Sequence, residues 1–254
     1  MVTANNGAAK HILSFGGGVN TAALMVFLVR SKRPVDEVVF ADTGGEAPET
    51  YQYLEVAESY LKDHGILFRV LKARVAGGDL YDACWRRRVI PSVVWRWSTR
   101  DFKVNPIYAY YRSLGVHVYQ HLGIAYDEID RMKDSGVPYV TNLYPLIDEK
   151  LTRDGCIQLI QEAGLPVPVK SGCFFCPFNS TGRWAWIYQN HPDLYWKAVA
   201  LEENSKHFPK QRLTDQMFRE RATVTLREFT QRLEGEAPVP VADVGSPCGG
   251  WCMT

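Results

Sequence analysis

Four of the six cysteines fall in two close pairs: Cys173 and Cys176 in SGCFFCPF, and Cys248 and Cys252 in CGGWC near the carboxyl end. One C-x-x-C is a modest signal. Two close pairs in one chain match the four-thiolate sites that hold Zn²⁺ or an iron–sulfur cluster. Cys156 sits in an apolar-patterned helix and reads as core. The terminal PCGGWCMT leaves a second role open, in which Cys248 or Cys252 attacks a substrate or carries a persulfide.

A second stretch with chemistry in it is HILSFGGGVNTAALMVFL, where a short apolar run meets Gly16, Gly17 and Gly18 and then a helical pattern. Glycines let backbone amides approach an anion without Cβ interference, and the amino end of the following helix adds its dipole. Thr21 adds a hydroxyl. Such a turn suits a phosphate or pyrophosphate, although three glycines alone are equally consistent with a plain strand-to-helix connection. Neither the Walker pattern G-x-x-x-x-G-K-[ST] nor G-x-G-x-x-G is matched.

The elements that must position these residues are legible in the first half. Strands are expected over 10–14, 35–41 and 66–71, and helices over 21–30 and 48–64, with Pro48 at a helix start. Alternating strands and helices predict an α/β fold with a parallel sheet. In such sheets ligands bind beyond the carboxyl ends of the strands, which places Asp42, Thr43 and Gly44 beside the glycine turn. Further on, a helix is expected over 105–114, a strand over 117–124, a loop over 138–145, and helices over 152–164, 184–205 and 225–233. Residues 166–177, rich in proline and glycine, cannot form a regular helix.

At 254 residues with 46% hydrophobic and 22% charged residues, the chain can bury a substantial core, and its net charge of +1 gives no global attraction to nucleic acid. No apolar run approaches a membrane span and residues 1–10 lack a secretory apolar core, so a cytoplasmic location with reduced thiols is expected. WRRRVIPSVVWRWSTRDFK, residues 85–103, is dense in arginine and tryptophan. It reads either as a solvated arginine face beside core tryptophans or as a stacking clamp for nucleic acid.

SFGGGVNTAAL resembles the PP-loop, usually SGGxDS, of the N-type ATP pyrophosphatases. FADTGGEAPETYQYL is similar to the DTG segment of that superfamily's phosphoadenosine phosphosulfate (PAPS) reductase branch. LGIAYDEIDRM is similar to GIRxDExxxR, and YPLIDEKLTRDGCIQLIQEAGLPVP to the Pro-Leu-hydrophobic-Asp…Gly-Leu-Pro segment. The resemblance runs in order over 10–178. It implies an adenine nucleotide alpha hydrolase-like domain, over 1–165, with a five-stranded parallel core, followed by a helical, cysteine-rich part over 166–254. It also implies ATP, with Mg²⁺ where required, bound by Leu13, Ser14, Gly16, Gly17, Gly18, Asn20, Thr21, Asp42, Thr43 and Gly44. Arg100, Lys103, Asp127 and Arg131 are the implied catalytic residues.

Three departures stand out. Gly16 and Asn20 replace the usual serine and aspartate, Ala125 replaces an arginine, and Ser98 stands where R-x-C-T-x-x-x-K carries cysteine. A grip through main chain and a less anionic substrate than PAPS are therefore expected. Relatives in the branch carry a [4Fe–4S] cluster, which favours a cluster over Zn²⁺ at Cys173, Cys176, Cys248 and Cys252. The distance from Cys84 to Cys173 also resembles the spacing of cluster cysteines in adenylylsulfate reductases. The implied activity is ATP-dependent thiolation of a small molecule or nucleobase, with a sulfur donor such as a cysteine desulfurase and with no membrane partner. A sulfonucleotide reductase and a zinc-stabilised nucleotide- or nucleic-acid-binding module are the alternatives.

Overall fold

In the computed structural model, which describes residues 8–73, 78–92, 95–214 and 224–234, the first apolar run forms strand β1 (Lys10–Phe15). Gly18 caps helix α1 (Val19–Arg30). β2 (Glu37–Asp42), α2 (Pro48–Asp63) and β3 (Leu67–Lys72) follow as the sequence patterning requires. β4 (Val118–Leu122) and β5 (Val140–Leu143) complete a fully parallel five-stranded sheet of order β3-β2-β1-β4-β5.

Each central strand splits its side chains between two cores, as the period of two demands. Leu13 and Phe15 of β1, with Val38 and Phe40 of β2, pack under α1 and α2. Helix α7 (Arg153–Glu162) covers the same face, with Cys156 and Ile160 buried against it. Ile12, Val39 and Ala41 face the other way, against Ile107 and Tyr111 of helix α5 (Asn105–Leu114). At the C-terminal edge of β1, the sheet thus carries its glycine turn on a rigid, doubly covered strand.

A second core joins residues far apart in sequence. Leu80 and Cys84 of α3 (Leu80–Arg87), Ile90 and Phe102 pack with Phe174, Phe175, Trp184, Tyr195 and Phe229. The last three come from α8 (Thr181–Asn190), α9 (Pro192–Asn204) and α10 (Leu226–Leu233). Buried Glu202 ties α9 to this cluster by accepting the amides of Leu213 and Leu226, each at 2.8 Å.

Several elements differ from the sequence expectation. The segment over 138–145, expected as loop, contains β5, whose four residues gain their pairing only from β4. The helix expected over 184–205 is two helices, because His191 leaves helical geometry before Pro192 begins α9. The 85–103 stretch supplies the end of α3, a short helix α4 (Trp97–Thr99) and a π-helical turn (Arg100–Val104) leading into α5. Short helix α6 (Pro145–Asp148) separates β5 from α7. Among the described residues no helix is long and apolar enough to cross a membrane.

Candidate functional site

The glycine turn is built by steric necessity at three positions. Gly17 has φ +73°, and a side chain there would lie 3.0 Å from Thr50 Cγ2. A Cβ on Gly18 would come within 2.9 Å of Ser171 Oγ, so the 166–177 segment packs directly over the turn. Gly123, just past β4, would place a Cβ 2.7–2.9 Å from Thr21 Cγ2, Cα and N. Thr21 closes the turn from inside. Its hydroxyl donates to the Gly18 carbonyl at 3.0 Å and accepts the Gly16 amide at 3.3 Å. No acidic residue occupies the first turn of α1, leaving its amide end positive.

Asn20 points sideways. Its amide donates to Glu128 Oε2 at 2.8 Å, and the same oxygen accepts from Arg131 at 2.8 Å. Glu128 belongs to a 3₁₀ segment, Tyr126–Arg131, which follows β4. The buried Oδ1 of Asn20 and Nε of Arg131 have no protein partner, so this chain of polar groups has capacity for a ligand. Asp127 accepts the Arg153 amide at 3.2 Å at the start of α7.

At the end of β2, Asp42 turns inward. It accepts the Gly44 amide and the Tyr51 hydroxyl, both at 2.8 Å, and lies 3.6 Å from Lys72 Nζ. Burial, reinforced by Asp42, keeps the Tyr51 phenol protonated far above its usual range. Thr43 Oγ1 donates to Glu46 Oε1 at 3.1 Å and accepts the Gly45 amide at 3.2 Å. Glu46 is almost wholly enclosed, its side chain 1% exposed, and Lys103 Nζ stands 3.0 Å from its Oε1. A Cβ on Gly44 would collide with Asp79, and one on Gly45 with Phe175.

The first cysteine pair docks onto this loop. Glu46 and Cys173 form an antiparallel bridge, with Phe174 N–H donating to Gly45 O at 2.9 Å and Ala47 N–H to Gly172 O at 3.2 Å. Cys173 Sγ lies 3.4 Å from Thr43 Oγ1 and 3.7 Å from Glu46 Oε1. A tight turn follows, in which the Cys176 amide donates to Cys173 O at 3.1 Å. Behind it, Arg183 lies 4.3 Å over the Trp186 ring. Burial lowers its pKa to about 10, while Glu49, Cys176 and Glu46 favour its charge.

Whether a metal centre fits can be read from the donors. Cys173 and Cys176 are half-buried, close together through a turn, and face a cavity, as two thiolates of a four-ligand site must. Cys248 and Cys252 lie outside the described residues, and among the described residues no group of three or more metal-ligating side chains forms. Cys84 and Cys156 are fully buried, and burial pushes both thiols up to about 12. Cys84 belongs to the apolar core around α3 and does not line the cavity with the pair.

That cavity, of about 50 Å³, is bounded by Thr43, Ser92, Ser98, Thr99, Lys103, Cys173 and Cys176, together with Leu80, Pro177 and Phe178. A smaller one beside β1 and β4 is lined by Ser14, Gln120, Tyr108 and again Lys103. Leu13 lies fully buried under this floor. Lys103 therefore stands between the strand ends and the thiols. Arg100, expected beside it, instead pairs with Asp101 at 2.8 Å on the surface. The sequence reading did not single out Glu46, Glu128, Gly123, Ser171 or Arg183. All but Arg183 lie within quoted motifs, but nothing local marks the tertiary partners each one meets.

The sequence matches no protein-family model and no curated protein. Among solved structures, the chain is similar to the phosphoadenylyl-sulfate (PAPS) reductase from Candida auris in its phosphate complex. That likeness has a TM-score of 0.47 and 14% identity, covering 63% of this chain and 76% of that one. It is also similar to the U34-tRNA thiolase NcsA from Methanococcus maripaludis with its [4Fe-4S] cluster. There the TM-score is 0.48 and identity 12%, covering 91% of this chain and 74% of that one.

Proposed function

We propose that this chain is an ATP-consuming sulfur-transfer enzyme that works through a nucleotide adenylate. The observation that carries this reading is the position of Lys103, shared by the cavity beside β1 and β4 and the cavity that holds Cys173 and Cys176. Ser171 packs against Gly18 of the phosphate-suited turn and the same segment runs on to Cys173, and a turn and a thiol so joined favour a reaction that uses both. The family resemblance of the glycine turn and the DTG segment points the same way.

In this reading the amides of 16–20 receive the β- and γ-phosphates, with charge supplied by the α1 amino end. Asp42 and Thr43 border the nucleoside. An oxygen of the acceptor attacks the α-phosphorus, and the bond to pyrophosphate breaks. Lys103, whose charge is otherwise matched by Glu46, stabilises the departing pyrophosphate. A sulfur nucleophile then attacks the activated acceptor atom, and AMP leaves with the oxygen. Cys173 and Cys176, with Cys248 and Cys252 from the tail, would hold the [4Fe–4S] cluster or Zn²⁺. Such a centre supplies or positions the sulfur. The donor class is a low-molecular-weight or protein persulfide, such as a cysteine desulfurase provides. Its outer sulfur attacks, a second thiol then cleaves the S–S bond to release the thiolated product, and an external thiol reductant reduces the resulting disulfide.

The test is equilibrium binding of ATP together with assays for AMP and pyrophosphate in the presence of acceptor pools. ATP binding with equimolar AMP and pyrophosphate supports the reading. Absence of ATP binding, or release of ADP and phosphate, contradicts it.

A further inference from the structure

Two of the three tryptophans of 85–103 are not core, whereas Trp97 packs against it. Trp95 is 77% exposed and Trp85 is 43% exposed, although a tryptophan's large apolar ring is ordinarily well covered. Trp95 stands at the rim of the cysteine cavity, and Trp85 stands on helix α3, whose first residue lines it. The Trp95 amide donates to Ser92 Oγ at 3.2 Å, and Ser92 lines that cavity. Trp85 follows Leu80, another lining residue, on helix α3. Tyr81 stacks on Trp85 with ring centroids 6.2 Å apart and planes 18° apart, extending it into a flat platform.

Charge at the same rim is one-sided. Residues 79–103 carry six arginines and lysines against three aspartates, while the whole chain is only +1. Arg87 lies 5.5 Å over the Trp97 ring, and Arg86 points to solvent, 3.9 Å from Asp82. Among the described residues, the exposed aliphatic side chains that a lipid surface would require, Leu67, Val70, Ile129 and Met132, belong to other parts of the fold.

We infer that this rim binds a single-stranded nucleic acid segment, stacking unpaired bases on Trp95 and on the Tyr81–Trp85 platform while Arg86 and Arg87 meet phosphates. Stacking needs unpaired bases, which selects a single strand or loop over a duplex. A base stacked on Trp95 lies at the rim of the cavity that Cys173 and Cys176 line. This deepens the proposed sulfur transfer by naming its acceptor class as a nucleobase within a strand.

The test uses the full chain and fluorescently labelled 12-nucleotide single strands of RNA and of DNA, read by anisotropy across a salt series. Vesicles of phosphatidylcholine with phosphatidylserine and a duplex serve as further arms. Strand binding with quenched tryptophan fluorescence is expected, weakened about tenfold or more in Trp95→Ala. Arg86→Ala is expected to lower the logarithmic salt slope by about one. The RNA and DNA arms tell which strand is preferred. Absence of strand binding, unchanged affinity in Trp95→Ala, or preference for duplex or vesicles overturns the inference. Pyrophosphate binding is measured on the same samples. It should persist in Trp95→Ala, and its absence from the unaltered chain would count against the nucleotide reading alone.

Discussion

Asn20 on the glycine turn donates its amide to Glu128 at 2.8 Å, across 108 residues of sequence. The acidic charge beside the turn stands on the neighbouring 3₁₀ segment, already shared with Arg131. The turn is thereby held by a neutral group on its own side and an anion opposite.

Placing a second carboxylate in that contact should therefore damage the site. Asn20→Asp is expected to weaken pyrophosphate binding about tenfold without Mg²⁺, since it replaces a hydrogen bond to a charged group worth about 1.5–3 kcal/mol by repulsion. Adding Glu128→Gln should restore most of the loss. Calorimetric titration with and without Mg²⁺ distinguishes the cases, and unchanged affinity in Asn20→Asp would make Asn20 a simple turn residue.

Gly123→Ala should be among the most disruptive small substitutions in the sheet. Its methyl meets Thr21 backbone at 2.8–2.9 Å, which cannot yield as a flexible side chain would. A loss of about 1–3 kcal/mol in denaturant unfolding is expected, with weakened ATP binding in the protein that remains folded. Gly65→Ala meets nothing within 4 Å but sits at φ +70°, so only backbone strain is expected there, with nucleotide affinity unchanged.

Lys103 serves both packing and charge. Lys103→Met leaves the enclosed Glu46 carboxylate without this cation and should cost about 3 kcal/mol of stability. Lys103→Met with Glu46→Gln should recover stability but not turnover. Thermal unfolding and AMP formation, measured on both variants, separate the two roles; recovery of turnover in the double variant would remove Lys103 from the chemistry.

Acid should destabilise the sheet through His121. Burial, followed by the proximity of His11, lowers its pKa from 6.5 to about 4. His11 Nδ1 lies 3.2 Å from His121 Nε2. The unfolded chain therefore takes up a proton near pH 6.5 that the folded chain refuses until about pH 4. The stabilisation is complete above pH 6.5, falls between 6.5 and 4, and is flat below, at most about 3 kcal/mol. His121→Gln should flatten that part of the stability profile.

Cysteine substitutions should divide cleanly. Cys173→Ser and Cys176→Ser are expected to lose bound iron or zinc, measured by metal and sulfide content after anaerobic preparation. Cys84→Ala should retain it and lose only about 1 kcal/mol of stability, because its thiol sits in an apolar core. Loss of metal in Cys84→Ala with the fold intact would make it a ligand.

The first three strands and two helices were legible because apolar runs, three glycines and Pro48 mark their limits locally. β5 was not. Val140–Leu143 is four residues with Thr141 and Asn142 inside, and it becomes a strand only through its partner. The break at His191 was hidden by continuous helical patterning on both sides of Pro192. At the site, the glycine turn, Asp42 and Thr43 were marked by motif, and Lys103 by its basic stretch. Glu46 meeting Cys173, Gly123 meeting Thr21 and Ser171 covering Gly18 are contacts made by topology, and no local pattern announces them. The tryptophans show the limit of composition: the same WRRR…WRW run suits a core edge or an open rim, and only the exposure of Trp95 decides.

The central claim is that the backbone of the glycine turn holds a nucleotide's phosphates. Titration calorimetry of the full chain with α,β-methylene-ATP tests it without needing the acceptor. One site is expected, competed by pyrophosphate and lost in Gly17→Val, whose side chain would be strained at φ +73° and crowd Thr50. No binding by the unaltered chain, or equal binding by a folded Gly17→Val protein, would contradict it.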